Sequence, residues 1–359
     1  MVSLTPALQL SSPGTAFETA VIERRELRPD DVRIAIQFAG ICHTDLHFGL
    51  NDMGRTPYPL TPGHEIAGTV AEVGDAVTTV AVGDRVGMGC ICNSCGECRY
   101  CTQGLEQYCE RGMVMTYGSR DYDGSITKGG YSRSIVVSER FVLHIPDAIS
   151  FAEAAPLMCA GVTMFSPLRH WNAGTGSEVA IVGMGGLGHM GVKLAAAMGA
   201  RVTVLSQTLA KEQDGRRFGA SDFRATSDQA TFTELTGRFD LILNTVSAAV
   251  DVNAYLSLLA VDGALVTVGL PGAPASVEPG MLMGRRRSLS GTNIGGIRET
   301  QEMLAFCAEN GVRPEIETVP AEPAAVAAAW ERVAGGTARY RVVIDTAPLD
   351  AQAGAAMPA

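Results

Sequence analysis

The chain has 359 residues, 46% hydrophobic and 18% charged, with a net charge of −10. That length allows two domains with separate cores, and the acidic balance excludes a nucleic-acid partner, whose binding needs a positive face. The first basic residue is Arg24, which leaves no charged n-region for a secretory leader. No apolar run approaches the ~20 residues of a membrane span, so a cytoplasmic protein with no membrane partner is expected.

Residues 1–37 read as short strands, with Val21-Ile-Glu-Arg24 and Asp31-Val-Arg-Ile-Ala-Ile-Gln37 joined by Pro/Asp turns. A dense polar constellation follows in Gly40-Ile-Cys42-His43-Thr44-Asp45-Leu-His47, where a strand gives way to a loop or helix start. Tyr58-Pro-Leu-Thr-Pro-Gly63-His64-Glu65 then leads into Thr69-Val-Ala-Glu-Val, and Val82-Gly-Asp84-Arg85-Val86 reads as turn then strand. The first 150 residues therefore describe a compact β-rich domain of many short strands.

Six of the nine cysteines fall between Cys90 and Cys109. In a chain of this kind such a cluster signals metal or catalysis rather than disulfides. Four thiolates from Cys95, Cys98, Cys101 and Cys109 would close a tetrahedral Zn²⁺ site with no position left for substrate. Cys92, Cys95, Cys98 and Cys101 form an equally regular series, so spacing leaves Cys92 or Cys109 as the fourth ligand. A second, dispersed set, Cys42, His64 and Cys159, would leave zinc an open fourth position for water or a carbonyl. Glu65 follows His64 and Asp45 follows Cys42 by three residues; a carboxylate behind a ligating imidazole fixes its tautomer.

From about Ser150 the texture becomes helical, then alternates strand and helix. Glu178-Val-Ala-Ile-Val182 breaks into Gly183-Met-Gly185-Gly186-Leu187-Gly188, which opens an amphipathic helix, and Arg201-Val-Thr-Val-Leu-Ser206 follows as a second strand. This is a dinucleotide-binding unit: a tight turn at Gly183, close backbone approach to a pyrophosphate at Gly185, and close helix–strand packing at Gly188. An NAD site places a carboxylate about 20 residues past the glycines. Here Ser206, Gln207, Thr208 and Lys211 occupy the strand tip, which favours the 2′-phosphate of NADP(H).

Phe239–Asn244 and Gly263–Gly269 are further buried-strand candidates, and Arg287–Thr292 is a weaker one, so the sheet is parallel and doubly wound. Arg285-Arg286-Arg287 reads as a solvated strand edge. Residues 300–310 predict a helix with Met303, Phe306 and Cys307 inward, and residues 324–334 another with Val326, Trp330 and Val333 on one face. Arg341–Asp345 is a closing strand, and the Ala-rich tail after Thr346 is expected to fray.

Gly40-Ile-Cys-His-Thr-Asp, Tyr58-Pro-Leu-Thr-Pro-Gly-His-Glu, Ser94-Cys-x-x-Cys-x-x-Cys with Tyr-Cys109, Leu157-Met-Cys-Ala-Gly-Val-Thr163, the glycine turn and Gly291-Thr-Asn-Ile-Gly-Gly occur in order over nearly the whole length. Together they resemble the zinc-containing medium-chain alcohol dehydrogenases, in the cinnamyl-alcohol-dehydrogenase-like branch. The resemblance implies a GroES-like catalytic domain over residues 1–160 with both zinc sites, a Rossmann domain over 161–292, and a return to the catalytic domain over 293–359. It implies a catalytic zinc on Cys42, His64 and Cys159 with Glu65 as close neighbour, and a structural zinc on Cys95, Cys98, Cys101 and Cys109, leaving Cys92 spare.

It further implies that Thr163, Thr245, Val246, Val268, Gly269 and Thr292 touch the nicotinamide half of the cofactor. His43 would face the pyrophosphate, and Ser206, Thr208 and Lys211 would hold the 2′-phosphate. Gln207 departs from the basic residue some members carry. Thr44 and His47 would relay a proton between substrate and solvent, and Phe48, Met53 and Cys90 are candidate substrate-pocket walls. The implied reaction is reversible, NADP(H)-dependent reduction of an aromatic or medium-chain aldehyde to a primary alcohol by a homodimer. Two rivals fit part of the pattern: a reductase of conjugated C=C or C=N bonds on the same scaffold, and a non-catalytic NADPH- and zinc-binding redox sensor.

Overall fold

A computed structural model describes residues 2–269 and 274–351 of the chain. Contacts divide it into two units, one of residues 1–159, 295–308 and 313–359, the other of residues 160–294 and 309–312.

The first unit is β-rich. Its central strand, Asp31–Ile41, alternates in burial, with Val32, Ile34 and Ile36 fully buried, as a strand covered on one face should. Around it a seven-stranded sheet runs in the order 316–320, 341–345, 31–41, 66–73, 85–88 and 143–144, with 134–138 pairing off the central strand. Arg341–Asp345 pairs antiparallel with Phe38–Ile41, so the last strand of the chain lies beside one of the first. Val21–Arg24 belongs to Glu18–Arg24, which pairs with Ser3–Gln9 in a separate ribbon.

The second unit is a parallel six-stranded sheet in the order 222–225, 201–206, 178–182, 239–244, 259–267 and 288–291. All its pairings are parallel. Val179–Val182 are buried without alternation, because helices cover both faces of such a sheet. The strand order reverses between 178–182 and 239–244, the switch point where open α/β sheets bind ligands.

Four expectations are corrected. Phe151–His170 is a helical run long and apolar enough to cross a membrane, although most of its side chains are buried; its two prolines and a wide turn had hidden its length. Arg287 is a clamp rather than a solvated edge, donating to the carbonyls of Ser257, Leu259 and Met281, while Arg286 pairs with Asp262. In helix Ile297–Glu309, Met303, Leu304 and Cys307 are buried but Phe306 is only half-buried, being rotated off the core stripe. Thr346 and Leu349 are fully buried, so the tail does not fray at once; residues 352–359 lie outside the described residues.

Candidate active site and metal centres

Cys42 follows the central strand and caps helix His43–Leu50, which starts there because Asp45, at its third position, accepts the Cys42 N–H at 2.8 Å. His64 and Glu65 come from the extended segment entering strand Ile66–Val73, and Cys159 from a wide π turn, Leu157–Gly161. Such turns are frequent at functional sites. One donor atom from each of Cys42, His64, Glu65 and Cys159 lies within 4.8 Å of the others, and all four residues are buried.

The donor chemistry fits zinc. The Cys42 and Cys159 sulfurs stand 4.0 Å apart with no disulfide between them, close to the ~3.8 Å edge of a tetrahedron built on Zn–S bonds of about 2.3 Å. Glu65 Oε2 is buried with no hydrogen-bond partner, while its Oε1 accepts from the Arg341 guanidinium. A buried, orphaned carboxylate oxygen among thiols calls for a cation. Burial pushes the Glu65 carboxyl up to about 8 against the pull of Arg341. The hydrogen bond from Cys159 holds the Cys42 thiol well below its ordinary range, and the same contact drives Cys159 up.

Asp45 anchors the far side of the site. Fully buried, it accepts from the backbone of Cys42 and Gly63 and from the Tyr131 hydroxyl at 3.2 Å, and its Oδ1 is 3.3 Å from His64 Nδ1. The Tyr117 ring stacks on His64 at 5.7 Å and 22°.

The second cluster is formed by Cys95, Cys98, Cys101 and Cys109, whose sulfurs also lie within 4.8 Å of one another. Cys95 and Cys101 sulfurs are 3.8 Å apart, and backbone N–H groups of Cys95 and Cys98 point at the sulfurs of Cys109 and Cys95, as they do for thiolates. Two short 3₁₀ turns fold the loop around this point. It is Cys109 that joins the group; the Cys92 sulfur turns away to the carbonyls of Val114 and Met115.

Of the remaining candidates, the Thr44 hydroxyl is 3.6 Å from the Cys42 sulfur. His47 Nδ1 is 2.8 Å from Asp52, and its ring meets His43 edge-on at 5.1 Å. Partial burial and the neighbouring His47 keep the His43 imidazole below its ordinary range. No hydrogen bond joins Thr44 to His47 among the described residues. Cys90 is buried, and a hydrogen bond with Cys159 lowers its thiol to about 6. Phe48 sits in the hydrophobic core against Tyr117, whose ring also stacks on His64, with Met53 packed on the same cluster. Sequence reasoning missed Arg341, Tyr117 and Tyr131, none of which carries a local motif.

In the second unit Gly183 has φ +91°, the left-handed turn only glycine makes freely. A Cβ on Gly188 would meet the Gly183 carbonyl at 2.0 Å, whereas one on Gly185 would meet nothing within 4 Å. Helix Gly186–Ala197 thus starts hard against the strand, and the backbone at Gly185 is open for a phosphate. Leu187 lies in its first turn; His189 packs at the same end, its Nδ1 on the Gly186 carbonyl and its ring on Phe218.

Ser206 ends the second strand; Gln207 and Thr208 are exposed beyond it, and Thr208 caps the Leu209–Lys211 turn. Lys211 Nζ donates to the Met184 carbonyl at 2.9 Å, tying the strand tip to the glycine turn. Thr245 bonds Val182, Val246 bonds the Asn244 side chain, Val268 and Gly269 bond the Asn244 carbonyl, and Thr292 bonds Thr267. These residues therefore gather at the ends of adjacent strands. Thr163 Oγ1 is buried with no partner.

Residues 28–147 match the alcohol dehydrogenase GroES-like domain and residues 186–309 the zinc-binding dehydrogenase domain. The chain is 58% identical over 348 residues to NADP-dependent alcohol dehydrogenase C of Mycobacterium bovis, covering 97% of this chain and 100% of that one. Among solved structures it is similar to a cinnamyl alcohol dehydrogenase of Sorghum bicolor, with TM-score 0.92, 37% identity and coverage of 96% of this chain and 98% of that one. It is also similar to the cinnamyl alcohol dehydrogenase of Helicobacter pylori complexed with NADP(H), with TM-score 0.90, 36% identity and coverage of 96% and 99%. The chain belongs to the zinc-containing medium-chain alcohol dehydrogenases, in their cinnamyl-alcohol-dehydrogenase-like branch.

Proposed function

We propose that this chain interconverts aldehydes and primary alcohols with NADP(H), acting on aromatic or medium-chain substrates. The convergence of Cys42, His64 and Cys159 in one buried cluster carries the reading, because three N/S donors suit a zinc with one position left for substrate. When bound, zinc supplies Lewis-acid polarisation of the substrate oxygen and NADPH supplies the hydride. Cys95, Cys98, Cys101 and Cys109 hold a second, structural zinc.

The chain's own residues do the rest. Thr44 and His47 share one face of helix His43–Leu50, at the i, i+3 spacing that makes side chains neighbours. They form a proton path whose outer end is His47, partly exposed and steadied by Asp52. His43 faces the pyrophosphate. The Gly183–Gly188 turn binds the diphosphate, and Thr163, Thr245, Val246, Val268, Gly269 and Thr292 surround the nicotinamide. Cys90 belongs to the substrate side of the zinc, and the buried apolar surroundings suit an aromatic ring. A homodimer joins through the exposed edge strand Ser288–Gly291 of the parallel sheet.

Ser206, Thr208 and Lys211 hold the 2′-phosphate, and the similarity to two NADP-linked enzymes supports this choice. Replacing Ser206 with Asp puts a carboxylate against that phosphate. We expect kcat/KM for NADPH to fall about 10- to 100-fold, at roughly 1.4 kcal/mol per decade, while that for NADH holds or rises. Equal kcat/KM for both cofactors in the unmodified enzyme would contradict this reading of the strand tip.

A further inference from the structure

A buried chain of hydrogen-bonding groups runs from the C-terminal helix to His64. Trp330, on helix Pro323–Ala334, has its indole nitrogen 3.3 Å from the Tyr131 hydroxyl, which is 3.2 Å from Asp45 Oδ2; the other Asp45 oxygen is 3.3 Å from His64 Nδ1. Tyr131, Asp45 and His64 are each 1% exposed or less. The direction of this chain follows from chemistry alone. An indole N–H only donates, so the phenol oxygen accepts it and the phenol proton is left to point at the carboxylate. An ionised carboxylate only accepts, so His64 must present a proton on Nδ1, which frees Nε2 as the ligating nitrogen.

We infer that Tyr131 and Trp330 are positioning residues for the Cys42–His64–Cys159 centre, acting through Asp45 to fix the tautomer and ring orientation of His64. The inference rests on the zinc reading above. His64 Nδ1 stands 3.3 Å from Asp45 without completing a hydrogen bond, so the exact set of the carboxylate decides how well the imidazole is held. Tyr131 supplies one of the donors that set it. Burial, with Asp45 alongside, drives the Tyr131 hydroxyl well above its ordinary range, so it keeps the proton the chain needs. Trp330 is itself seated edge-on against Phe17 at 4.9 Å, which fixes where its N–H points.

The test is release of zinc from the intact enzyme to a chromophoric chelator, in Tyr131→Phe and Trp330→Phe. Each substitution deletes one polar group and keeps an aromatic ring, and melting temperatures check folding. Two equivalents are expected from the unmodified chain, with the one missing in Cys42→Ser identifying the active-site ion. Losing an outer-shell partner typically costs 10–100-fold in metal affinity. Tyr131→Phe should therefore release the active-site equivalent about tenfold faster or more, Trp330→Phe should do so to a smaller degree, and the Cys95–Cys109 equivalent should be unaffected. Wild-type release of both equivalents in Tyr131→Phe, whatever its melting temperature, overturns the inference, and so does equal acceleration of both. A single equivalent in the unmodified chain removes the zinc reading itself, and the inference with it.

Discussion

Replacing Cys42 with serine lowers kcat/KM for NADPH-driven reduction of cinnamaldehyde by about a thousandfold or more, because Lewis-acid polarisation is worth several kcal/mol and each 1.36 kcal/mol is tenfold in rate. The serine removes one of two sulfurs that face each other at 4.0 Å and leaves the glycine turn of the second unit untouched, so NADPH binding measured by fluorescence stays as it was. The pattern separates the rivals. A reductase of conjugated C=C or C=N bonds that does without zinc polarisation keeps its turnover in Cys42→Ser. A redox sensor shows no steady NADPH oxidation in either form. Unchanged aldehyde turnover in the variant would remove the zinc-alcohol-dehydrogenase reading.

Replacing Arg341 with methionine destabilises the protein by about 3–5 kcal/mol, the cost of breaking a buried ion pair from one side. Arg341 is 5% exposed and Glu65 fully buried, and the guanidinium is the one cation that an ion pair places on Glu65 among the described residues. The loss depends on pH in a definite sense. With its cation gone, the Glu65 carboxyl titrates higher in the folded chain than the already raised value of about 8, while the unfolded chain keeps the ordinary value near 4.3. A folded-state pKa above the unfolded one gives stability that is present at low pH and lost as pH rises through the folded value. Parent and variant share that loss up to the parent's value of about 8, so denaturant midpoints should separate them further above pH 8 than at pH 5. A deficit below about 1 kcal/mol at pH 8, the range of an exposed pair, would show that the contact contributes little.

Much of this was legible from local pattern. The strand–glycine–helix unit at 178–197 could be read because its cues are short-range: a continuous apolar run, a turn needing positive φ at Gly183, and a helix brought close by Gly188. The parallel, doubly wound sheet followed from alternation of element types. Cysteine density pointed to a metal loop, yet a three-residue period could not choose between Cys92 and Cys109. That choice lies in the small 91–93/114–115 ribbon, which turns the Cys92 sulfur toward carbonyls.

What remained hidden is what depends on chain separation. Glu65 meets Arg341 across 276 residues and Tyr131 meets Trp330 across 199, and no spacing rule reaches that far. Arg287 was misjudged because an arginine beside a strand reads as solvated until the strand's neighbours supply three carbonyls for it to cap.

The proposed chemistry requires two zinc ions per chain, one of them held by Cys42. Elemental analysis of the purified protein, run in parallel on the parent, Cys42→Ser and Cys98→Ser, counts them. Two equivalents of zinc per chain are expected in the parent, with loss of the active-site equivalent alone in Cys42→Ser. In Cys98→Ser the other equivalent should be lost, with the active-site ion retained in whatever fraction stays folded. One equivalent in the parent, or two in Cys42→Ser, would rule out the two-zinc chemistry.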